Sequence, residues 1–196
     1  MIATFERHKL LEAIVYFATN AKHVGAIKLF KLLYYLDMLH FRETGRSVTG
    51  LTYHALSYGP VPTELYNELN HPAADLAWSI DVRTRVVGHD ETVAPSAKLI
   101  RPLIKPSLSH MTRREQRILA GVAEMFRDVS AAQISDLSHA RKGPWDAARK
   151  RGGGKWGTPI RYLDSANLDL ATAKAMSKGE LAERAVEYEE LWKHFA

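Results

Sequence analysis

The chain has 196 residues, 46% of them hydrophobic and 25% charged, which suits one folded domain with a real core and argues against bulk disorder. It contains no cysteine, so disulfides, thiol nucleophiles and thiolate metal sites are excluded. The net charge is +5, no window nears the roughly 18 continuous apolar residues of a membrane span, and the charged start "MIATFERHKLLEAIVYF" does not read as a secretory signal, so a cytoplasmic protein with no membrane partner is expected.

From Thr4 to Asn20, Leu10, Leu11, Ile14, Phe17 and Ala18 recur at helical spacing. Val24 to Glu43 predicts a second helix that is apolar almost all round, ended by Gly45 just past its last turn. On a helical projection Lys28, Lys31, Tyr35 and Arg42 share one narrow sector, and Asp37 and His40 fall inside the apolar arc. Such a helix belongs at the centre of a fold. "LTYHALSY" reads as a strand, "GPVP" as a break, and Thr63 to Leu69 as a short helix. "WSIDVRTRVV" alternates, with Ile80, Val82, Thr84 and Val86 on one face and Asp81, Arg83 and Arg85 on the other. A turn at "GHDE" leads to a further extended run to Lys105, which Pro95 and Pro102 mark as an edge strand.

The second half reads as helical. "TRRE" at Thr112, "SAAQ" at Ser130 and "SKGE" at Ser177 are capping boxes, in which a hydroxyl and a carboxylate or amide satisfy each other's free backbone amides. Leu181, Ala185, Tyr188, Trp192 and Phe195 give the last helix one apolar stripe. Between these helices "KGPWDAARKRGGGKWGTPIRYLDS" reads as loop-rich. Its part from Arg141 to Lys155 carries Arg141, Lys142, Arg149, Lys150, Arg151 and Lys155 against Asp146, a local balance equal to the net charge of the whole chain. A mobile basic loop touching an acidic partner is the expectation. The architecture is read as α+β: a mostly helical single domain spanning 1–196, with a central buried helix and a small antiparallel sheet.

Catalytic patterns fail on their own terms. "ALSYG" around Ser57 lacks the helix that must follow a nucleophile elbow at once, because Gly59-Pro60 and Pro62 intervene. "RGGGK" is followed by Trp156 where a phosphate loop needs Ser or Thr. The histidines show no metal-binding spacing, so no metal is expected. For Asp37 and His40 the readings are mutual or loop-backbone hydrogen bonding, an acid/base or metal pair, or a pocket role; structural bonding is the expectation, because buried polar groups are nearly always partnered. "MTRREQRILAGVAEMFRDVSAAQISDL" resembles the opening of a helix-turn-helix, but Gly143-Pro144 stands where a recognition helix should run. Nucleic-acid binding by a transcriptional regulator is therefore the alternative reading.

Three stretches together resemble the Panacea-domain, SocA-type antitoxins of toxin–antitoxin systems. They are "KLFKLLYYLDMLHFRETGR", "YHALSYGPVPTELYNEL" and "ISDLSHARKGPW". The matching positions are Lys28, Leu29, Lys31 to Tyr35, His40 and Gly45, then Tyr58 to Val61 with Tyr66, then Ser135, His139, Pro144 and Trp145. The resemblance implies an antitoxin that binds and neutralises a cognate protein toxin by direct contact, without catalysis or cofactor, and a protease as a further partner if the toxin is handed on. The partner-binding residues expected on this reading are Lys28, Lys31, Tyr35, Tyr58, Pro60, Trp145, Arg149, Lys150, Arg151 and Trp156. Asp37, His40 and His139 are expected to be structural polar groups.

Overall fold

The computed structural model describes residues 5–85 and 97–168. Its elements in chain order are α1 (Phe5–Asn20), α2 (Ala26–Thr44), β1 (Tyr53–Leu56), β2 (Gly59–Pro62), α3 (Thr63–Glu68), α4 (Ala74–Ser79), β3 (Ile80–Arg85), β4 (Ala97–Pro102), α5 (Arg113–Met125), α6 (Ala131–Ser138), α7 (Pro144–Arg151), β5 (Thr158–Pro159) and a 3-10 segment, Tyr162–Asn167. The fold is mostly helical α+β, with a three-stranded sheet ordered β2-β1-β5 and a separate two-stranded sheet β3-β4, both antiparallel. Val86, the "GHDE" turn, Pro95, the capping box at Ser177 and the stripe from Leu181 to Phe195 lie outside the described residues.

Every residue of α2 from Lys28 to Arg42 is buried. Helices α1, α5 and α6, strands β2 and β4 and the 3-10 segment all pack on it. This follows from its composition: an apolar surface all round can be removed from water only by neighbours on every side. Gly45 ends the helix in the left-handed conformation, φ 72°, with its N–H on the Phe41 carbonyl at 2.7 Å. The capping boxes at Thr112 and Ser130 form as expected and open α5 and α6.

Local rules misjudged three places. "GPVP" is a strand, not a break. β2 pairs with β1 from Tyr53↔Pro62 to Leu56↔Gly59, closing a two-residue turn at Ser57-Tyr58. Its prolines are tolerated because β2 is the outer strand of its sheet, where one row of amides need not donate. Trp78 and Ser79 belong to the last turn of α4, where the Ser79 hydroxyl donates to the Asp75 carbonyl at 2.7 Å, and the strand begins only at Ile80. The stretch read as a basic loop contains a helix, α7. Pro144 opens it in its first turn, Asp146 lies near its positive end, and Arg149, Lys150 and Arg151 lie near its negative end. The glycines that follow form a hydrogen-bonded turn, with Gly153 N on Lys150 O and Gly154 N on Arg149 O at 3.1 and 2.8 Å.

Candidate functional site

The polar sector of α2 does not face solvent. Lys28, Lys31, Tyr35 and Arg42 are all buried, and each cation ends on backbone carbonyls of segments packed over it. Lys28 Nζ donates to Lys22 O at 2.7 Å and Arg127 O at 3.0 Å. Lys31 Nζ donates to Pro60 O at 2.7 Å, and Arg42 Nη1 to Leu168 O. Tyr35 stacks on Phe126, ring centroids 4.8 Å apart. Burial pushes the Lys31 ammonium down to about 7.

The three stretches that carry the resemblance meet at Gly59. Its φ is 95°, a conformation that excludes most side chains. A Cβ placed there would lie 2.5 Å from Ser138 Oγ, 2.9 Å from Lys31 Cε and 3.0 Å from His139 Nε2. Thus α2, the start of β2 and the end of α6 touch at one backbone position. The His139 ring lies against Trp145, centroids 4.3 Å apart, and Trp145 Nε1 donates to Leu56 O at 3.0 Å, closing the contact onto β1. Burial, with the Lys31 charge adding to it, lowers the His139 pKa and favours the neutral ring. Ser138 Oγ donates to Ser135 O at 2.6 Å, so its proton points away from His139. The junction therefore lacks the nucleophile-to-base hydrogen bond that acyl transfer needs.

Asp37 and His40 fasten the loop that follows α2. The Asp37 carboxylate accepts from Val48 N and Thr49 N at 2.8 Å each, from Tyr53 OH at 2.7 Å, and from the Thr49 hydroxyl. Burial raises its pKa against the pull of these donors. His40 Nδ1 meets Arg46 O at 2.7 Å, and burial lowers its pKa. Asp37 thus binds the loop and the first residue of β1, and His40 Nδ1 binds the loop. A further buried group, Glu115, was not singled out in the sequence. It pairs with Lys9 at 2.5 Å while completing the α5 capping box through Thr112 N at 2.7 Å. The capping motif at Thr112 is the one sequence signal that pointed to it.

Of the residues expected to touch a partner, Lys28, Lys31, Tyr35 and Pro60 are buried among the elements packed on them. Trp145 and Arg149 are half-buried, whereas Tyr58, Lys150, Arg151 and Trp156 are exposed. The Arg149 guanidinium lies 3.6 Å from the Trp156 ring centroid and 5.9 Å from that of Trp145. Lys150 pairs with Asp146 at 2.6 Å, and Arg151 with Asp164 at 3.0 Å. For the helix-turn-helix reading, α6 carries no Lys or Arg, while a helix, α7, does begin at Pro144; it bears Arg149, Lys150 and Arg151 in its last turn and turns Trp145 onto the sheet. Among the described residues there is no cluster of metal-ligating groups, and no helix is long and apolar enough to cross a membrane.

Comparison with protein families adds one match. The family model described as "Antitoxin SocA-like, Panacea domain" covers residues 29–146. The chain belongs to this family. Its junction residues Lys31, Gly59, Ser138, His139 and Trp145 all fall within the matched stretch, while Arg149 and Trp156 lie beyond it. Neither a curated protein nor a solved structure matches the chain. Membership in the SocA-like family supports an antitoxin role in a toxin–antitoxin system, and with it a toxin as the kind of partner.

Proposed function

We propose that this SocA-like chain neutralises a cognate protein toxin by direct contact and performs no catalysis. The observation that carries the reading is the junction at Gly59. The stretches that carry the resemblance pack α2, the β1–β2 hairpin and α6 together, with Lys31 bound to a carbonyl and Ser138 turned from His139. A neutralising protein needs that kind of rigid frame, because order present before binding lowers the entropy lost on association.

The test is co-expression with the product of each adjacent gene. One neighbour, expressed alone, is expected to arrest growth; this chain is expected to restore growth and to co-purify with it. Replacing Ser57 by Ala leaves the rescue intact, which a hydrolase would not allow. The half-life of the toxin during rescue separates simple holding from delivery to a protease. Unimpaired growth with every flanking gene expressed alone would remove the support for neutralisation in this operon.

A further inference from the structure

One end of the β2-β1-β5 sheet collects exposed apolar side chains within a rim of cations. Tyr58 sits in the turn between Leu56 and Gly59 and is 57% exposed. Gly157 N donates to Ala55 O at 2.9 Å, which carries β5 toward the same turn and places Trp156, 55% exposed, at that end. Leu137, 54% exposed, precedes Ser138, whose hydroxyl packs on Gly59. Arg141, Lys142 and Lys155, all exposed, flank α7, whose Trp145 is bonded to Leu56 in the same turn.

The Trp156 side chain is held before any partner arrives. Arg149 stacks on Trp156, and the turn after α7 is hydrogen-bonded throughout, so the exposed indole is fixed at little further entropy cost. An apolar centre within a charged rim is the anatomy of a protein interface, and Trp, Tyr and Arg dominate interface hot spots.

The charge distribution says what kind of surface fits. Lys150 and Arg151 are neutralised within the chain by Asp146 and Asp164. The cations left to the partner are at the rim, and the exposed Asp136 stands beside Leu137. That pattern suits separated carboxylates around an apolar patch better than a continuous row of phosphates, which would be repelled by Asp136 and would gain nothing from Leu137.

We propose that this sheet end, centred on Tyr58, Leu137 and Trp156 and rimmed by Arg141, Lys142 and Lys155, is the surface that grips the toxin, and that it takes an apolar patch edged by carboxylates. The proposal rests on the antitoxin reading above. Its probe is the toxin identified by co-expression, purified and titrated against the full chain.

Trp156→Ala is expected to weaken binding by about 30-fold or more, the hot-spot range. Tyr58→Ala, which removes a turn side chain and no cation–π contact, gives the same direction if Trp156→Ala fails to fold. Combined Arg141→Glu, Lys142→Glu and Lys155→Glu is expected to slow association by about tenfold or more at low salt, with the effect shrinking at high salt. Trp78→Ala, at a residue 70% exposed on α4, is the control and is expected to bind as the unaltered chain does. Loss of binding in Trp78→Ala, with full binding in the sheet-end variants, would overturn the surface and leave the antitoxin reading standing. Failure of the unaltered chain to bind any flanking gene product overturns both. Tight binding of single-stranded or duplex oligonucleotides, abolished by the charge reversal, overturns the acidic-protein assignment in favour of nucleic acid.

Discussion

The chain has two groups of cations, and they meet opposite fates. On α2, Lys28, Lys31 and Arg42 are buried and bind backbone carbonyls outside their own helix. Around α7, Arg141, Lys142, Lys150, Arg151 and Lys155 are exposed, and those that are paired find carboxylates on their own helix or on the 3-10 segment. The residue types are the same. What differs is the acceptor. A carbonyl buried by packing needs a donor, and a long flexible stem can bring one across the apolar surface. A carboxylate that still reaches water at the surface needs none, so an ion pair there adds little. Cations of the first kind hold elements together, and those of the second stay at the surface.

The contrast can be broken most severely at Gly59, where the buried group meets the hairpin. Gly59→Ala forces a Cβ against Ser138, Lys31 and His139 at a positive φ. It is expected to cost about 3 kcal/mol or more in urea unfolding, combining overpacking with backbone strain. A loss below about 1 kcal/mol would mean that the junction is loose, and its rigidity could not then underlie neutralisation.

Lys31→Met sharpens the contrast through pH. The ammonium pKa in the folded chain is about 7, below its ordinary 10.5, so between these values the unfolded chain holds more protons. Stability from this group therefore rises as pH climbs from 7 toward 10.5 and is flat below 7. The unaltered chain is expected to show an added slope approaching about 1.4 kcal/mol per pH unit in that window. Lys31→Met should remove that slope, measured by urea titration at stepped pH. It should also lower stability at pH 9 by about 1–3 kcal/mol, because Pro60 O loses its donor. An identical pH profile in both proteins would mean that the ammonium is solvated.

The smallest effect belongs to the outer group. Lys150→Ala breaks an exposed pair spaced four residues apart on α7. It should change stability by less than about 0.5 kcal/mol. A change of Lys31 size would erase the distinction drawn between the two groups.

Much of the frame is written locally. The capping boxes at Thr112 and Ser130 are decided within four residues, because the hydroxyl and the carboxylate or amide that satisfy the helix end are supplied by the same turn. The apolar circumference of α2 required a central place, and Gly45 marked its end for the same local reason. The ordered motifs around Lys31, Gly59 and His139 were enough to indicate the family. Tertiary structure decided what those residues touch. Lys31 and Pro60 are 29 positions apart, Lys28 and Arg127 are 99, and Arg42 and Leu168 are 126. A helical projection sees only a polar sector; whether carbonyls cover it depends on how the other segments pack. β2 became a strand because β1 lay beside it and its outer edge could do without amide donors. The exposed end with Tyr58 and Trp156 likewise exists only because β5 returns to β1, bringing together side chains that no local pattern connects.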